Sequence, residues 1–516
     1  MIWTSDFEPV VVDDTTVAAA LSHAVASYPD RVALVDGPSG QAVSYRELSE
    51  RIDRIAAWLH ADNLMPGDCV AVWAPNVPSV AACTLAAMGL GAAVTGLNPA
   101  WSDDEVAAQL GDADASVLIT VPELAERACS FPTRRVVVLG GEAPGAVPLA
   151  ALLATRDDPP RLEIDPDSVA LLPYSSGTTG LPKGVMLTHR QLVTVSRQIA
   201  RALAADDHDV TLAVAPWFHI LGFTAELLVP LTCGATVVST QRFDPASFLT
   251  LLERHGVTYL AGPPPIASFL AHHPSVATHD LGHLELVASG GAPLPPATHQ
   301  TLADRFPHCA VGQGWGLTET SGGICIPTRP AGTPSGTVGP LLPNTELRVV
   351  DTATGVELGP GVDGELQARG PQTMLGYLHR PDETAAMITP DGWLRTGDLG
   401  HVTNAGHVVV VDRLKELIKV NAFQVAPAEV EAVLVEHPAI LDAAVVGRPD
   451  HRCGEVPVAY IVTTSQVNHE DLAAWMVPRL APYKHPVSYQ TVDQLPRTPS
   501  GKLLRRHLRS AVTAET

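Results

Sequence analysis

The sequence predicts an α/β protein with a large N-terminal domain of layered α/β subdomains, and three observations support this class. Strand-like apolar runs alternate with helical patterns, an order typical of parallel sheets covered by helices. Short alternating runs broken by glycine and proline between Thr337 and Arg369 indicate a small β-subdomain. Beyond Lys415 the α/β pattern starts again, which predicts a small, mobile C-terminal α+β lid domain. We expect the domains to span residues 1–412 and 413–516.

Local signals place several of the elements. Ser44 followed three residues later by Glu47 is a capping-box pattern, so a helix should begin there. Pro478 should kink or end the last long helix of the lid domain. Apolar runs predict strands at residues 68–74, 93–94, 117–119, 136–139, 169–172, 212–215, 284–287 and 407–411.

Composition and charge limit the classes of function. The chain has 516 residues, of which 46% are hydrophobic and 17% charged, as in a folded protein of two or more domains. A formal net charge of -22 argues against nucleic acid and anionic membrane surfaces as main partners. A bound nucleotide is still compatible with this net charge, because hydrogen-bond donors at the binding site affect nucleotide binding more than the net charge of the whole protein does.

Cysteine usage and the N-terminus predict a cytoplasmic protein. The seven cysteines include no C-x-x-C pair, so we expect reduced, mostly buried thiols. The first ten residues, MIWTSDFEPV, lack the basic region and apolar core of a signal peptide. The uncharged run from Ser79 to Leu97 lies between two prolines, and we interpret it as a buried helix leading into a strand rather than a membrane span.

The stretch from Tyr174 to Val185, YSSGTTGLPKGV, is the strongest functional signal. It follows an apolar strand and precedes a helix near Thr188, so we expect a loop that leaves a sheet edge and enters that helix. Its glycines allow backbone N–H groups to turn inward, and Lys183 adds a positive charge, which together predict a polyphosphate cradle. The Walker pattern does not fit, because Pro182 stands before the lysine. A flexible glycine-serine surface loop is the alternative.

A second motif, Gln313–Glu319, follows the end of a predicted strand. Gly314 and Gly316 flank Trp315, so the indole can expose a face suited to stacking on adenine. Thr318 offers a hydroxyl to phosphate and Glu319 a carboxylate to Mg²⁺. Taken alone, the motif is equally compatible with an ordinary turn that carries an exposed aromatic residue.

Three further positions carry candidate chemistry. Asp398 directly follows a glycine, where its carboxylate can accept bonds from two ribose hydroxyls or else cap a turn. Lys502 ends the rigid turn that begins at Pro496, from which its ammonium can hold two anions in line, although most C-terminal lysines face solvent. His219 follows two aromatic residues and lines a pocket or packs in the core.

These motifs, in this order, resemble the signatures of the adenylate-forming superfamily of acyl-CoA synthetases, peptide-synthetase adenylation domains and beetle luciferases. The resemblance runs from about Thr15 to Arg509 and is greatest to the 4-coumarate–CoA ligase group. It implies ATP, Mg²⁺ and coenzyme A as cofactors and a small-molecule carboxylic acid, aromatic in that group, as substrate.

The resemblance also implies roles for individual residues. A ribose contact falls on Arg413, a hinge on Lys415, and two groups near the reactive centre on Lys419 and Gln424. The family usually has tyrosine where this chain has Trp315. The implied phosphate-loop residues are Ser175, Ser176, Gly177, Thr178, Thr179, Gly180 and Lys183, and the implied acid pocket comprises His219, Leu221, Ala225, Ala288, Gly290, Gly291 and Gly322.

The sequence departs from the family pattern at two places. Residues 420–424 read VNAFQ where the family usually reads YKGFQ, so Ala422 narrows the path of the pantetheine arm and Asn421 removes a charge that could attract CoA phosphates. In the acid pocket Leu221 replaces a frequent tyrosine, and Gly322-Gly323 replaces a bulkier pair. An apolar, roomy pocket of this kind suits an aryl or arylacrylic acid, with fatty acids as an alternative.

The resulting hypothesis is an ATP-dependent, AMP-forming acid–CoA ligase that acts through an acyl-adenylate. One alternative keeps adenylation without CoA, as in ATP-dependent diazotases that use nitrite and an aromatic amine. Another alternative loads the acyl group onto a carrier protein. A binding-only pseudoenzyme is disfavoured, because Lys183, Glu319, Asp398, Arg413 and Lys502 are all present. The oligomeric state stays open.

Overall fold

The structure, a computed structural model, describes residues 1–160, 162–175, 182–329, 331–420, 423–450, 452–465, 467–498 and 501–514. Four separate sheets organise these residues. The strands are β1 (Ile2–Thr4), β2 (Val32–Asp36), β3 (Ala42–Ser44), β4 (Cys69–Trp73), β5 (Ala93–Gly96), β6 (Ala115–Thr120), β7 (Arg135–Val138), β8 (Val147–Pro148), β9 (Val169–Leu171), β10 (Tyr174–Ser175), β11 (Lys183–Thr188), β12 (Val210–Ala213), β13 (Thr236–Ser239), β14 (Tyr259–Gly262), β15 (Leu286–Ser289), β16 (Ala310–Gln313), β17 (Glu346–Val350), β18 (Gly364–Arg369), β19 (Gly376–Tyr377), β20 (Leu394–Val402), β21 (Val408–Arg413), β22 (Ile418–Val420), β23 (Phe423–Val425), β24 (Ile440–Asp450), β25 (Gly454–Thr463) and β26 (Ser488–Thr491).

Helices cover the faces of these sheets. They are α1 (Val17–Ser27), α2 (Tyr45–Ala61), α3 (Pro78–Gly89), α4 (Asp103–Asp112), α5 (Pro122–Ala128), α6 (Leu149–Leu153), α7 (His189–Leu203), α8 (Val229–Cys233), α9 (Pro245–His255), α10 (Pro264–His272), α11 (Pro296–Arg305), α12 (Pro381–Met387), α13 (Pro427–Val435), α14 (His469–Met476) and α15 (Arg505–Ala514). A π-helix spans Gly222–Leu228, and short 3-10 helices span Pro274–Thr278, Thr318–Thr320 and Pro482–Lys484.

Two largely parallel sheets form the larger part of the molecule, which confirms the predicted α/β class. One has the strand order β10-β11-β9-β5-β4-β6-β7-β8, with β19 beside β11, and the other has the order β16-β15-β14-β12-β13-β2-β3. Their central strands are buried on both faces and read as continuous apolar runs, as strands covered by helices must. The parallel strands β14, β15 and β16 end side by side, so the loops that follow them meet at one edge.

Two smaller sheets complete the fold. The antiparallel sheet β1-β17-β18-β20-β21 matches the β-subdomain expected after Thr337. The fourth sheet, β23-β22-β25-β24 with β26 beside β25, packs on α13 and α14 over a core whose fully buried members all lie beyond residue 417. This separate core lies where the sequence places the lid domain. We keep the division at residues 412 and 413 as a proposal.

Local signals predicted helix ends correctly at several positions. Ser44 and Glu47 form the expected capping box at the start of α2, and α7 begins with a second capping box formed by Thr188 and Gln191. In the lid, α14 ends at Met476, before the proline that cannot continue it.

The expected path of the phosphate loop needs a correction. The chain does not pass directly from the loop into α7, because Lys183–Thr188 first forms strand β11. This strand pairs with β10, β9 and β19, so β10 and β11 form a β-hairpin, and residues 176–181 between them lie outside the described residues. The pairing with β19 brings residues almost two hundred positions apart together, which local sequence patterns do not reveal. The hairpin holds Lys183 at a fixed register position opposite Ser175.

The run from Ser79 to Leu97 forms α3 and β5, as predicted. Nearly every residue of α3 is buried within the core of the first parallel sheet. Across the described residues, no helix has both the length and the apolar character needed to cross a membrane.

Candidate active site

A cavity of about 590 Å³ lies where the carboxyl ends of β14, β15 and β16 face the hairpin of β10 and β11. Loops at the carboxyl ends of parallel strands are the usual place for ligand sites in α/β sheets. The β20–β21 sheet and the lid domain contribute the remaining walls, through Arg413, Lys415 and Lys502 among others.

Most predicted site residues line this one cavity. All seven residues of the predicted acid pocket are present, namely His219, Leu221, Ala225, Ala288, Gly290, Gly291 and Gly322. They are joined by ten of the residues assigned to nucleotide binding, catalysis or the hinge: Ser175, Lys183, Gly314, Trp315, Gly316, Thr318, Glu319, Arg413, Lys415 and Lys502. Ser176, Gly177, Thr178, Thr179 and Gly180 lie outside the described residues.

Close backbone packing explains two glycines of the cavity wall. A Cβ atom added to Gly316 would lie 2.5 Å from the carbonyl oxygen of Gly322, so the strand end and the following turn approach as closely as backbones can. Gly322 itself has a φ of 97°, which side chains rarely tolerate. Together they fix the turn that carries Thr318 and Glu319.

Glu319 is a buried carboxylate that accepts a hydrogen bond from Tyr377. It is only 6% exposed, and the hydroxyl of Tyr377 donates to its Oε1 atom over 2.7 Å. Burial and the nearby Glu319 charge raise the pKa of Tyr377, which keeps the phenol protonated as a donor. One carboxylate beside the predicted phosphate loop fits Mg²⁺, which is held by few carboxylates together with substrate phosphates. Among the described residues, the one compact group of acidic and histidine ligands is Asp206, Asp207 and His208, which the cavity does not include.

Trp315 is more deeply buried than its sequence context suggested. Its side chain lines the cavity but is only 8% exposed, and it packs in the core of the β-subdomain. The indole Nε1 donates to Oδ2 of Asp398 over 2.8 Å. Its backbone also pairs with Cys325. Stacking on adenine stays a prediction, and the structure adds a role in orienting Asp398.

Asp398 is held by two partners. It is 2% exposed, and Arg413, opposite it on the neighbouring strand, approaches Oδ1 with its Nε atom at 2.6 Å. Burial raises the pKa of Asp398, while the charge of Arg413 and the Trp315 hydrogen bond act in the opposite direction. Because Oδ2 accepts a hydrogen bond from Trp315 and Oδ1 is paired with Arg413, ribose hydroxyls would have to share or displace these partners.

Lys502 reaches the cavity from a tight turn of the lid domain. The backbone N–H of Thr498 donates to the Lys502 carbonyl over 2.8 Å, and its hydroxyl accepts from the Lys502 N–H over 3.0 Å. Arg497 anchors the turn through a 2.8 Å ion pair with Asp442. Burial, followed by the charge of Arg413, lowers the pKa of Lys502, and the carboxylates of Asp398 and Glu319 act against this shift.

The same turn rests on the N-terminal part of the chain. Gly501 has a φ of 82°, and a Cβ atom added there would lie 2.7 Å from Cβ of Pro263. Pro263 lies between β14 and α10, beside the cavity. The contact therefore depends on the absence of a side chain at Gly501.

Lys415 lies between two cavities. It lines the main cavity and also a second one of about 440 Å³. Burial, followed by the charges of Arg413 and Lys502, lowers the pKa of Lys415 to about 8. Its role as a hinge stays a prediction.

Lys419 and Gln424 do not line the main cavity in the structure, and their role near the reactive centre stays a prediction. They face each other on the β22–β23 hairpin, where Gln424 is exposed and Lys419 lines the second cavity with Glu455 and Arg509. The reason is geometric. The hairpin and the turn of Lys502 are separate surfaces of one lid domain, and the lid presents the Lys502 turn to the main cavity. Asn421 and Ala422 lie outside the described residues.

His219 is neutral in this setting. Its Nδ1 atom accepts from the Leu221 N–H over 3.3 Å, and burial together with the nearby Lys502 lowers its pKa to about 4. The adjacent π-helix carries Ala225, whose carbonyl accepts from the Tyr259 hydroxyl over 2.6 Å. These contacts hold a rigid, mainly apolar wall on this side of the cavity.

Sequence reasoning missed several residues of this site. Tyr377 and Glu383 were not singled out, although Tyr377 lines the cavity and both contact Lys183. Glu226, a buried residue next to Ala225 that does not itself line the cavity, was also missed: its Oε2 atom accepts from the Ala215 N–H over 2.9 Å, and burial raises its pKa. A charged residue inside the apolar run of the π-helix was the available signal for Glu226. The contacts of Tyr377 and Glu383 depend on long-range pairing and left no local signal.

Comparison with known proteins agrees with this geometry. The profile of the AMP-binding enzyme family matches residues 21–378, and that of the AMP-binding enzyme C-terminal domain matches residues 429–502. The chain belongs to the AMP-binding enzyme family. The predicted family and the predicted enzyme class, an AMP-forming ligase, are thereby confirmed.

Individual relatives of this AMP-binding enzyme cover nearly its whole length. 4-Coumarate–CoA ligase 5 of Oryza sativa subsp. japonica is 39% identical, over 94% of this chain and 92% of the relative. The anthranilate CoA ligase AuaEII, solved with anthranoyl-AMP, superposes with a TM-score of 0.90 at 25% identity, covering 98% of each chain. The amide bond synthetase McbA from Marinactinospora thermotolerans has a TM-score of 0.86 at 28% identity, covering 96% of this chain and 100% of that one.

Proposed function

We propose that this AMP-binding enzyme is an ATP-dependent acid–CoA ligase that activates an aryl or arylacrylic carboxylic acid through an acyl-adenylate. One observation carries the proposal: Lys502, Glu319 and the predicted acid pocket open into a single cavity beside the phosphate hairpin. A carboxylate in that pocket and a nucleotide at the hairpin would meet at the lysine.

The residues suggest how the first half-reaction proceeds. A carboxylate oxygen attacks the α-phosphorus of ATP, a new P–O bond forms, and pyrophosphate leaves with the electrons of the broken bond. The ammonium of Lys502 holds the carboxylate and the α-phosphate together and offsets the charge that develops. Thr318 and Lys183 contact phosphate, and Glu319 would hold Mg²⁺, which supplies charge neutralisation at the phosphates when bound.

The second half-reaction needs a different face of the lid domain. The thiol of CoA attacks the acyl carbon, a thioester forms, and AMP leaves. We propose that residues 413–516 rotate about Lys415 between the two steps, a hinge-type change. Such a rotation would withdraw Lys502 and bring the hairpin of Lys419 and Gln424 to the cavity.

The lining of the cavity supports an aromatic acid. Small residues at Ala225, Ala288 and Gly290 leave room, while Ile199 and Tyr259 add apolar surface at the wall. A flat ring gains most from such a slot, because its large apolar faces are buried with few polar groups to satisfy. The relatives named for 4-coumarate and anthranilate act on acids of this shape.

A CoA-independent reaction is the second candidate. Its support is Ala422, which replaces a usual family glycine on the proposed pantetheine path, and a similar fold in a protein named as an amide bond synthetase. In that case the same adenylation would serve an amine, a carrier protein or, as in diazotases, nitrite with an aromatic amine.

The test is a product assay with purified protein, MgATP and a panel of benzoic, arylacrylic and fatty acids. Each acid is incubated with CoA, without CoA, with an amine, with a phosphopantetheinylated carrier protein, and with nitrite plus an aminoarene acid. We expect an aryl or arylacryloyl thioester, detected by mass spectrometry, only in the CoA reactions. AMP release without any thioester across the panel would overturn CoA ligation, and the productive acceptor would identify the alternative.

A further inference from the structure

Lys183 does not point freely into the cavity. Its ammonium forms an ion pair with Glu383 of α12 and lies 4.9 Å from the ring centre of Tyr377. The carboxylate of Glu383 is about four-tenths exposed, and Lys183 is about one-quarter exposed. The ammonium of Lys183, which we expect to bind the phosphates of ATP, is therefore already paired with the carboxylate of Glu383.

Glu383 has a second cation within reach. The Nε atom of Arg380, one turn earlier, lies 3.9 Å from Oε1 of Glu383. Arg380 itself is held by Asp112, at 3.2 Å, and the same carboxylate accepts from the Tyr174 hydroxyl over 2.8 Å. Arg380 is thus fixed to the base of the hairpin, while Glu383 lies between it and Lys183.

We propose that Glu383 is a counter-ion that exchanges with the polyphosphate of ATP. Before ATP binds, Glu383 neutralises Lys183 and holds it against Tyr377. When the phosphates arrive, Lys183 passes to them and Glu383 moves to Arg380. This positioning role rests on the proposed use of ATP, and it makes Glu383 a residue that lowers ATP affinity rather than one that adds to it.

The charges around Lys183 support the inference that Glu383 lowers the affinity for ATP. A polyphosphate that reaches Lys183 must break the ion pair and approach a carboxylate of like charge. A partly exposed pair is worth only a few-fold in an equilibrium constant, so the exchange remains easy. The adjacent Tyr377 also donates to Glu319, so one phenol contacts Lys183 through its ring and the predicted Mg²⁺ ligand through its hydroxyl.

The test measures binding of Mg²⁺ with α,β-methylene-ATP by calorimetry. We expect Glu383→Gln to tighten binding by about two- to five-fold and to lower KM for ATP with kcat nearly unchanged. Asp382→Asn removes one charge from the neighbouring, exposed position of α12 and is the matched control, which should change binding little. Arg380→Gln should weaken binding, and by less when Glu383 is already Gln.

The outcomes are distinguishable. If the unmodified protein fails to bind the analogue, the proposed ATP-dependent function fails together with the exchange. If it binds and Glu383→Gln weakens binding or leaves it equal to that of Asp382→Asn, ATP use stands and the exchange is wrong. Weaker binding in Glu383→Gln would mean that Glu383 aligns Lys183 for phosphate instead of competing for it.

Discussion

Replacing Gly501 with alanine should slow adenylation selectively. In the structure the added Cβ would lie 2.7 Å from Cβ of Pro263, far inside the usual carbon–carbon separation of about 3.5–4.0 Å. Overpacking of this kind costs about 1–3 kcal/mol. The φ of 82° adds a penalty for alanine, but that penalty stays with the turn wherever the lid lies. Only the contact with Pro263 is specific to the arrangement that places Lys502 in the cavity.

The expected loss of adenylation rate follows from the steric cost of the Pro263 contact, considered apart from the conformational penalty of the positive φ. A loss of about 1–3 kcal/mol in the Lys502 arrangement corresponds to an adenylation rate reduced about 5- to 150-fold. Thioester formation from CoA and separately supplied acyl-adenylate should fall much less. Pyrophosphate release and single-turnover thioester formation measure the two halves. Gly406→Ala, at a φ of 83° with open space around it, is the control for the conformational penalty alone. Equal loss in both halves, or a similar loss in the control, would refute the reasoning.

Three further predictions concern charge and packing around the same cavity. The kcat/KM for adenylation should decline on the alkaline side below the ordinary lysine pKa of 10.5, because burial and Arg413 lower the pKa of Lys502, and a pH profile of Lys502→Arg should lack this decline. Trp315→Phe leaves a buried oxygen of Asp398 without its donor and should cost about 1–3 kcal/mol, measured by urea unfolding; no change would contradict the inferred hydrogen bond. Burial raises the pKa of Asp412 from 3.8 to about 6, so its contribution to stability is present below pH 3.8 and is lost as the pH rises through 6. Unfolding of Asp412→Asn at pH 4.5 and 7.5 should therefore show a pH dependence changed by about 2–3 kcal/mol, and an unchanged dependence would refute that pKa.

Much of the fold was predictable because its signals are local. The capping box at Ser44 lies within four residues, and the buried run of α3 is visible as an uninterrupted apolar stretch. The same holds for the motifs whose residues adjoin in sequence, such as the turn from Gln313 to Glu319. Such patterns indicate which residue types stand together, and they were enough to predict the family and seventeen of the residues that line the cavity.

The missing parts of the prediction depend on long-range pairing. Strand β11 was missed because its partner β19 comes almost two hundred residues later, and local patterns read the segment as loop. The same pairing brings Tyr377 to Glu319 and to Lys183. For Trp315, the flanking glycines predicted a ring face open to a ligand, but they gave no sign that the side chain also packs in the core of the β-subdomain. A tertiary contact decided the environment in each case.

The two lysines of the lid domain illustrate the limit of sequence motifs most clearly. Both Lys502 and Lys419 match positions that the family places near the reaction, yet only Lys502 lines the main cavity. A rigid lid cannot present two separate surfaces to one cavity at once, and the proposed rotation would bring the Lys419 surface to the cavity after the Lys502 surface has left it. Lys415 lines both cavities and is the residue about which we propose that the lid rotates. Selective loss of adenylation in Gly501→Ala would therefore support both the position of Lys502 in the main cavity during adenylation and the proposed rotation of the lid.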